Sequence, residues 1–165
     1  MSDERVWFVA ERFERLRDLF FELGYAPDPG PRDPNEWDEL HYEDPPTGLV
    51  RLKGVRLRDP NDEDSDFDPE ITFSIAELWS PEYAEGAESE RGYFLVEYSY
   101  HAHHHGVDQR WDFDPTGHPD MPYHRHPPGA GTERQPLPDP IDPADAIRIF
   151  HQWIEEQTGR PVDSS

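Results

Sequence analysis

Histidines crowd one stretch of the chain, Tyr93 to His126, which holds seven of the nine histidines in the sequence. Side chains of a β-strand alternate between two faces. Read as a strand, the first half of this stretch places aromatic and aliphatic residues on one face and His101 and His103 on the other. The H-x-H spacing directs both imidazole rings to the same side. The pattern predicts a strand with a buried apolar face and a polar face rich in imidazole.

Imidazole rings at this spacing support more than one kind of chemistry. A histidine transfers protons near neutral pH, binds a metal ion when neutral and contacts phosphate when charged. Two histidines and an arginine meet the requirements for cleaving RNA by attack of the 2′-hydroxyl, which are a base, an acid and a cation near the phosphorane. The same residue types meet the requirements for a zinc or other transition-metal site. A solvated sheet face without a catalytic role is the third interpretation.

The sequence after the histidine-bearing strand predicts a β-hairpin. Residues 106–109 form a turn-like tetrapeptide, and residues 110–114 alternate again between polar and apolar side chains. A four-residue loop fixes the register, and paired residues share a face. We expect three cross-strand pairs on the polar face: His105 with Arg110, His103 with Asp112, and His101 with Asp114. Trp111 then lies on the opposite, buried face.

A second H-x-H pair, His124 and His126, extends this set of polar residues. It lies in the proline-flanked segment 122–127, and the prolines favour a strand at the edge of the sheet. Aspartates beside the rings would orient them or supply metal ligands, and an arginine would hold an anion. The candidate catalytic residues are His101, His103, Arg110, Asp112, His124 and His126. We predict no cofactor, although a transition metal at His101 and His103 remains open.

The rest of the chain supplies the elements that must position these residues. Residues 1–24 predict an amphipathic helix, and residues 142–158 predict a second one. Residues 26–47 are rich in proline and acidic residues and predict a loop. Residues 48–126 predict antiparallel strands that include the histidine-rich hairpin. We therefore predict an α+β fold, a single domain of residues 1–165 in which a sheet of about four to five strands packs against both helices.

Charge and composition restrict the classes of function. The net charge is −22, and the chain contains a single lysine, Lys53, and no cysteine. Such a composition is typical of proteins from high-salt cytoplasm, and a GC-rich genome produces a similar bias. The lack of cysteine excludes disulfides and thiolate chemistry. No segment resembles a signal peptide or a membrane span, so we predict a cytoplasmic protein without membrane contact. At ordinary salt, the charge opposes binding to a phosphate backbone.

Three short blocks, in order, resemble the TumE-like proteins, a family of small toxins from toxin–antitoxin pairs. The blocks are Tyr98-Ser99-Tyr100-His101, then Arg110-Trp111-Asp112 followed by His118-Pro119, and then Pro122-Tyr123-His124-Arg125-His126. The strands before the blocks and the helix after them also fit the family in order. Three positions depart from the family pattern, since Phe113 replaces an asparagine, the single His118 stands where the family has two histidines, and Tyr123 replaces a histidine.

The resemblance implies a toxin whose partner is a protein antitoxin. The histidine cluster then predicts an endoribonuclease that acts on RNA without a metal ion. Two other functions fit the residues. One is a non-enzymatic, acidic interaction protein of the halophile type, and the other is a metal-dependent enzyme with an H-x-H site.

Overall fold

A computed structural model of the chain describes residues 4–27, 38–41, 47–57, 67–80, 89–90, 93–129 and 133–159. They form two helices and one antiparallel sheet, with the following bounds: α1 (Glu4–Glu22), β1 (Tyr25–Pro27), β2 (Asp38–His41), β3 (Thr47–Leu57), β4 (Phe67–Ser80), β5 (Ser89–Glu90), β6 (Tyr93–His104), β7 (Val107–Phe113), β8 (Tyr123–His126), β9 (Gln135–Pro136) and α2 (Pro143–Thr158). Much of the predicted proline-rich loop 26–47 lies outside the described residues.

The sheet is open and seven strands wide, in the order β1-β3-β4-β6-β7-β8-β9, while β2 also pairs with β3 and β5 with β6. The α+β fold is confirmed, but the predicted count of four to five strands is too low. Strands β3, β4, β6, β7 and β8 lie where the sequence predicted strands. The additional strands have only two to four residues each, and they lack the H-x-H spacing that indicated the equally short β8.

Two predictions about the short segments are wrong. Strand β2 lies within residues 26–47, which were predicted to form a loop, and β1 overlaps the start of that range. Strand β8 is not at the edge of the sheet, because β9 pairs with it through His124 and Arg125. Proline removes a backbone donor, but the prolines flanking β8 lie just outside its four residues and leave its own donors intact.

Both helices cover the same face of the sheet. The ring of Phe73 in β4 contacts Phe20 of α1, Phe150 of α2 and Trp111 of β7, with each pair of ring centroids 6.3 Å apart. Every residue that the alternation placed on the apolar face of the hairpin near its turn is buried there: Tyr98, Tyr100, Ala102, Trp111 and Phe113. The opposite face carries the polar residues, so the predicted division into two faces is confirmed from Tyr98 to Phe113. At the start of β6 it is wrong, because a bulge in the pairing with β4 shifts the phase and buries Leu95 instead of Phe94 and Val96.

Helix α2 begins and ends as its sequence signals predict. The side chain of Asp142 accepts a hydrogen bond from the backbone N–H of Asp145 at 2.9 Å, and Gly159 ends the helix with a φ of 69°. The buried ring of His151 stacks on Tyr25 and makes a 2.8 Å hydrogen bond with its hydroxyl. This contact connects α2 to β1, the strand at one edge of the sheet.

The hairpin between β6 and β7 is tighter than predicted. Its loop consists of His105 and Gly106, with φ values of 45° and 84°. Positive φ at both central residues is the requirement of the type I′ turn, whose twist matches that of the strands. The observed pairs on the polar face are His101 with Arg110, His103 with Asp108, and Ser99 with Asp112. The predicted four-residue loop and its register are therefore wrong, but each partner moves by an even number of residues, so the faces are unchanged.

Candidate active site

Three neighbouring strands, β6, β7 and β8, align their polar side chains in rows across the sheet. The first row is His101, Arg110 and His126, and the second is Ser99, Asp112 and His124. Neighbouring strands lie about 4.8 Å apart, so the Cα atoms of His101 and His126 are about 10 Å apart with Arg110 between them. All the predicted site residues therefore lie on one face, but they form two separate groups.

These rows form the floor of a cleft with a volume of about 650 Å³. The segments that follow β7 and β8 build its walls and contribute His118, Pro127, Gly129 and Arg134. His101, Arg110, Asp112, His124 and His126 line the cleft, as does Asp108. Asp108, His118 and Arg134 were not among the predicted site residues, because their positions in the cleft depend on the paths of loops.

The first group is His101 and His103, whose rings converge on one carboxylate. Nε2 of His101 lies 3.0 Å and Nδ1 of His103 lies 2.8 Å from Oδ1 of Asp108. The hydrogen bond with His103, followed by that with His101, lowers the pKa of Asp108 below its usual value and outweighs a partial burial that acts in the opposite direction. The ionised carboxylate accepts a hydrogen bond from each ring and fixes its orientation. The sequence placed Asp108 in a loop, and the shorter turn brings it onto the strand.

The second ring nitrogens of this pair have different surroundings. Nε2 of His103 accepts a hydrogen bond from the backbone N–H of Gly106 at 3.3 Å. Both ring nitrogens of His103 are therefore hydrogen-bonded to residues of the hairpin. Nδ1 of His101 has no hydrogen bond to any other described residue, and His101 lines the cleft. His101 is therefore the ring of the pair that can exchange a proton with a bound molecule.

The second group gathers around Asp112. Its Oδ2 atom lies 2.8 Å from Nη2 of Arg110, 3.4 Å from Nε2 of His124 and 3.3 Å from Nε2 of His126. The side chains of Asp112, His124 and His126 are 6%, 1% and 13% exposed. Their candidate ligand atoms all lie within 4.8 Å of one another, so these three residues are positioned to hold a metal ion. The metal that the sequence left open at His101 and His103 thus has a better set of ligands on β7 and β8.

A backbone carbonyl fixes the orientation of the His124 ring. Its Nδ1 donates a hydrogen bond to the carbonyl of Met121 at 3.0 Å, so a neutral ring carries its lone pair on Nε2, the atom facing Asp112. The rings of His118 and His126 meet it edge-on, with centroids 5.1 and 5.3 Å away. Burial lowers the pKa of His126, and the opposing effect of Asp112 is smaller.

Carboxylates dominate the end of the cleft beyond Asp112. Burial raises the pKa of Glu97, and repulsion from Asp114 and Asp112 adds to the effect. The Oδ1 atom of Asp114 accepts a hydrogen bond from the backbone N–H of Gly117 at 2.8 Å, which orders the loop after β7. The predicted pairing of Asp114 with His101 does not occur. This end of the cleft has a negative potential that favours cations.

Comparison of the chain with protein-family models, with curated proteins and with solved structures found no match. The resemblance to the TumE-like proteins therefore stays a prediction, and the site has to be interpreted from its own chemistry. Among the residues that the structure describes, no helix is long and apolar enough to cross a membrane.

Proposed function

We propose that the protein is an RNA-cleaving toxin of the TumE-like kind, in which His101 transfers the proton. One observation carries the proposal. Asp108 holds Nε2 of His101, while Nδ1 of the same ring is left for a ligand in the cleft, beside Arg110. An aspartate that orients a histidine and stabilises its charged form is a recurrent device of general base catalysis.

The chemistry that fits this arrangement is attack of the 2′-hydroxyl on the adjacent phosphate. Nδ1 of His101 takes the proton of the 2′-hydroxyl, and the 2′-oxygen forms a bond to phosphorus. Arg110 stabilises the negative charge of the phosphorane. The bond from phosphorus to the 5′-oxygen then breaks, and that oxygen takes a proton from a second residue that lines the cleft, for which His118 is the candidate. The products are a 2′,3′-cyclic phosphate and a free 5′-hydroxyl.

The charge of the protein sets the conditions for this activity. The chain carries −22, and the arginines that line the cleft are Arg110 and Arg134. With about two phosphate contacts on a single strand, the slope of log affinity against log salt would be only about −1.4. High salt therefore weakens specific binding little while it screens the general repulsion between the protein and RNA. We expect activity to persist at high salt.

Cleavage of a labelled single-stranded RNA by the purified protein tests the enzymatic part of the proposal. We expect His101→Ala to slow cleavage by about 10²–10⁴-fold, the usual contribution of a proton-transfer residue. His103→Ala is the matched control on the same strand, and it should slow cleavage less than tenfold because its ring does not line the cleft. A substrate of 2′-deoxynucleotides should remain intact. Equal rates for wild type and His101→Ala, or cleavage of the deoxy substrate, contradict the mechanism.

Induced expression of the wild-type chain in a host cell tests the toxin part. Growth should stop and cellular RNA should be degraded, whereas His101→Ala should permit growth. Co-expression of a small neighbouring reading frame should restore growth if that frame encodes the antitoxin. The alternative, a non-enzymatic acidic interaction protein, predicts equal growth of both strains with intact RNA.

A further inference from the structure

We propose that Asp112, His124 and His126 form a binding site for a transition-metal ion of the zinc type, open to the cleft. The site follows from the positions of three side chains and does not depend on any activity. Its role in catalysis, described below, rests on the proposed function.

The distances between the ligand atoms suit a small ion. In a tetrahedral site each edge is about 1.6 times the metal–ligand bond, so bonds of about 2.0–2.1 Å give edges of about 3.3–3.4 Å. Oδ2 of Asp112 lies 3.4 Å from Nε2 of His124 and 3.3 Å from Nε2 of His126. The two histidine nitrogens lie within 4.8 Å of each other. A small rotation of the ring of His126, the more exposed of the two, would shorten that distance.

The hydrogen bonding of His124 leaves its ligand atom available. Because Nδ1 donates to the carbonyl of Met121, the lone pair of the neutral ring is on Nε2 and is directed at a carboxylate that can only accept. Two acceptors that face each other repel unless a positive charge lies between them, and a metal ion bound to both would supply that charge. A backbone carbonyl behind a histidine is also the usual support of a metal-bound ring, since it fixes the tautomer and the orientation.

The backbone holds the three ligands on rigid elements. Asp112 lies directly opposite His124 in the ladder between β7 and β8, and His126 is two residues further along the same face. Two imidazoles and one carboxylate suit zinc, iron, cobalt, nickel or copper better than magnesium or calcium, which prefer sites made of oxygen atoms. Three protein ligands leave at least one coordination position for water or substrate, as in catalytic zinc sites. That position faces the cleft.

Arg110 is the neighbour that opposes the ion. Its guanidinium group lies 2.8 Å from the same Oδ2 atom of Asp112, and its side chain is 47% exposed. A carboxylate oxygen has two lone pairs, so the ion and Arg110 can both contact Oδ2, but their positive charges repel each other. Removing Arg110 should therefore strengthen metal binding. This expectation separates a metal site from an ion-pair cluster that needs Arg110 for its charge balance.

A bound ion would add a Lewis acid to the cleft, next to the row that contains His101. Phosphate oxygens that reach the open coordination position would gain charge stabilisation there. His101, held by Asp108, keeps its role in proton transfer. In this arrangement the two groups of the site have separate tasks, and the predicted absence of a metal in the RNA-cleavage step would be wrong.

Titration of the metal-free protein with Zn²⁺ by calorimetry, and with Co²⁺ followed by visible absorption, tests the site. We expect one ion per chain and the absorption bands of a tetrahedral Co²⁺ complex, which Zn²⁺ should abolish. Asp112→Asn and His126→Ala should each weaken binding by at least about 100-fold. His103→Ala and His101→Ala should change the affinity less than threefold, and Arg110→Gln should tighten it. Circular dichroism of each metal-free variant establishes that it folds.

Binding that survives both Asp112→Asn and His126→Ala, or that His101→Ala abolishes, overturns the site. Weaker binding in Arg110→Gln does the same. RNA cleavage by a wild-type protein that binds no ion leaves the proposed function intact and removes this inference. Stoichiometric binding with the expected variant pattern, but without RNA cleavage under any condition, supports the metal site and removes the proposed function.

Discussion

Asp108 lies directly across the β6–β7 hairpin from His103, and its Oδ1 atom is 2.8 Å from Nδ1 of that ring. The same oxygen is 3.0 Å from Nε2 of His101, two residues along the strand. One carboxylate thus orients two imidazoles, of which His101 lines the cleft and His103 supports the turn. Asp108 thus connects the turn of the hairpin to His101, the proposed proton-transfer residue.

Replacing Asp108 by asparagine should change the pH dependence of stability. The hydrogen bonds from His103 and His101 lower the pKa of Asp108, so the native state favours its ionised form. A lowered pKa gives stability that is present above the unfolded value and lost as the pH falls through the folded value. Asp108 is 58% exposed, so the difference at pH 7 should stay below about 1 kcal/mol.

Urea unfolding of wild type and Asp108→Asn at several pH values measures this difference. The two curves should separate near pH 7 and converge when the pH falls below about 3.8, the ordinary value for an aspartic acid. High salt should reduce the separation, because the charges are open to solvent. A difference that is constant from pH 7 to pH 3 would show that the hydrogen bonds to the carboxylate do not carry the effect.

The faces of the hairpin could be predicted, whereas its register could not. Alternation of apolar and polar residues depends only on the local sequence. It correctly placed Trp111 on the buried face of the sheet and His101 on the other face. The register depends on the loop, and the sequence His105-Gly106 is a less evident type I′ turn than Asn-Gly. A four-residue loop instead assigned Asp108 to the turn. The error moved every cross-strand partner but left each side chain on its face.

The turn itself gives a second prediction. His105 adopts a φ of 45°, a conformation that costs most residues with a side chain about 1–2 kcal/mol. Glycine and asparagine tolerate it, whereas a β-branched residue does not. We expect His105→Gly or His105→Asn to stabilise the fold by up to about 1 kcal/mol and His105→Val to destabilise it by about 1–2 kcal/mol. Thermal unfolding of the three variants measures these changes, and a more stable valine variant would exclude the left-handed turn.

The grouping around Asp112 was harder to predict than the hairpin. All its members were candidates, since His124 and His126 share the H-x-H spacing and Asp112 lies on the polar face. Their proximity depends on the pairing of β7 with β8, and residues 114–122 between those strands have no periodic pattern. The alternation of polar and apolar residues identifies a face, but it does not determine which strand lies beside which. The length of this connection is the reason why the pairing of β7 with β8, and with it the grouping around Asp112, could not be predicted from the sequence.

Gly54 of β3 gives a prediction about the core. A Cβ atom at this position would lie 2.8 Å from Cδ2 of Phe20 and 3.1 Å from Cβ of Tyr25. Both neighbours are buried and have little space to move. We expect Gly54→Ala to destabilise the protein by about 1–3 kcal/mol through overpacking. Adding Phe20→Leu should recover part of that loss, and an unchanged melting temperature for Gly54→Ala would mean that α1 does not pack this closely on β3.

A buried carboxylate under α1 gives the last prediction. Glu77 of β4 is completely buried on the apolar face, where alternation places it although its charge does not favour burial. Arg12 of α1 contacts it with two hydrogen bonds, of 2.7 and 2.8 Å. The hydroxyl of Tyr100 and the indole N–H of Trp79 also donate to it, at 2.7 and 3.1 Å. Burial, with the charge of Glu77 adding to it, raises the pKa of Tyr100 well above its usual value.

Arg12→Met should therefore destabilise the fold by about 3–5 kcal/mol, because it leaves a buried charge without its counterion. Arg12→Lys keeps the charge but loses the paired geometry, so its loss should be smaller. The double variant Arg12→Met with Glu77→Gln should be more stable than Arg12→Met alone, since the buried charge is gone and the glutamine oxygen still accepts from Tyr100. Chemical unfolding of wild type, Arg12→Met, Glu77→Gln and the double variant measures the coupling between the two residues. Arg12→Lys is measured beside them. Additive losses from the two single substitutions would show that the pair does not act as a unit beneath α1.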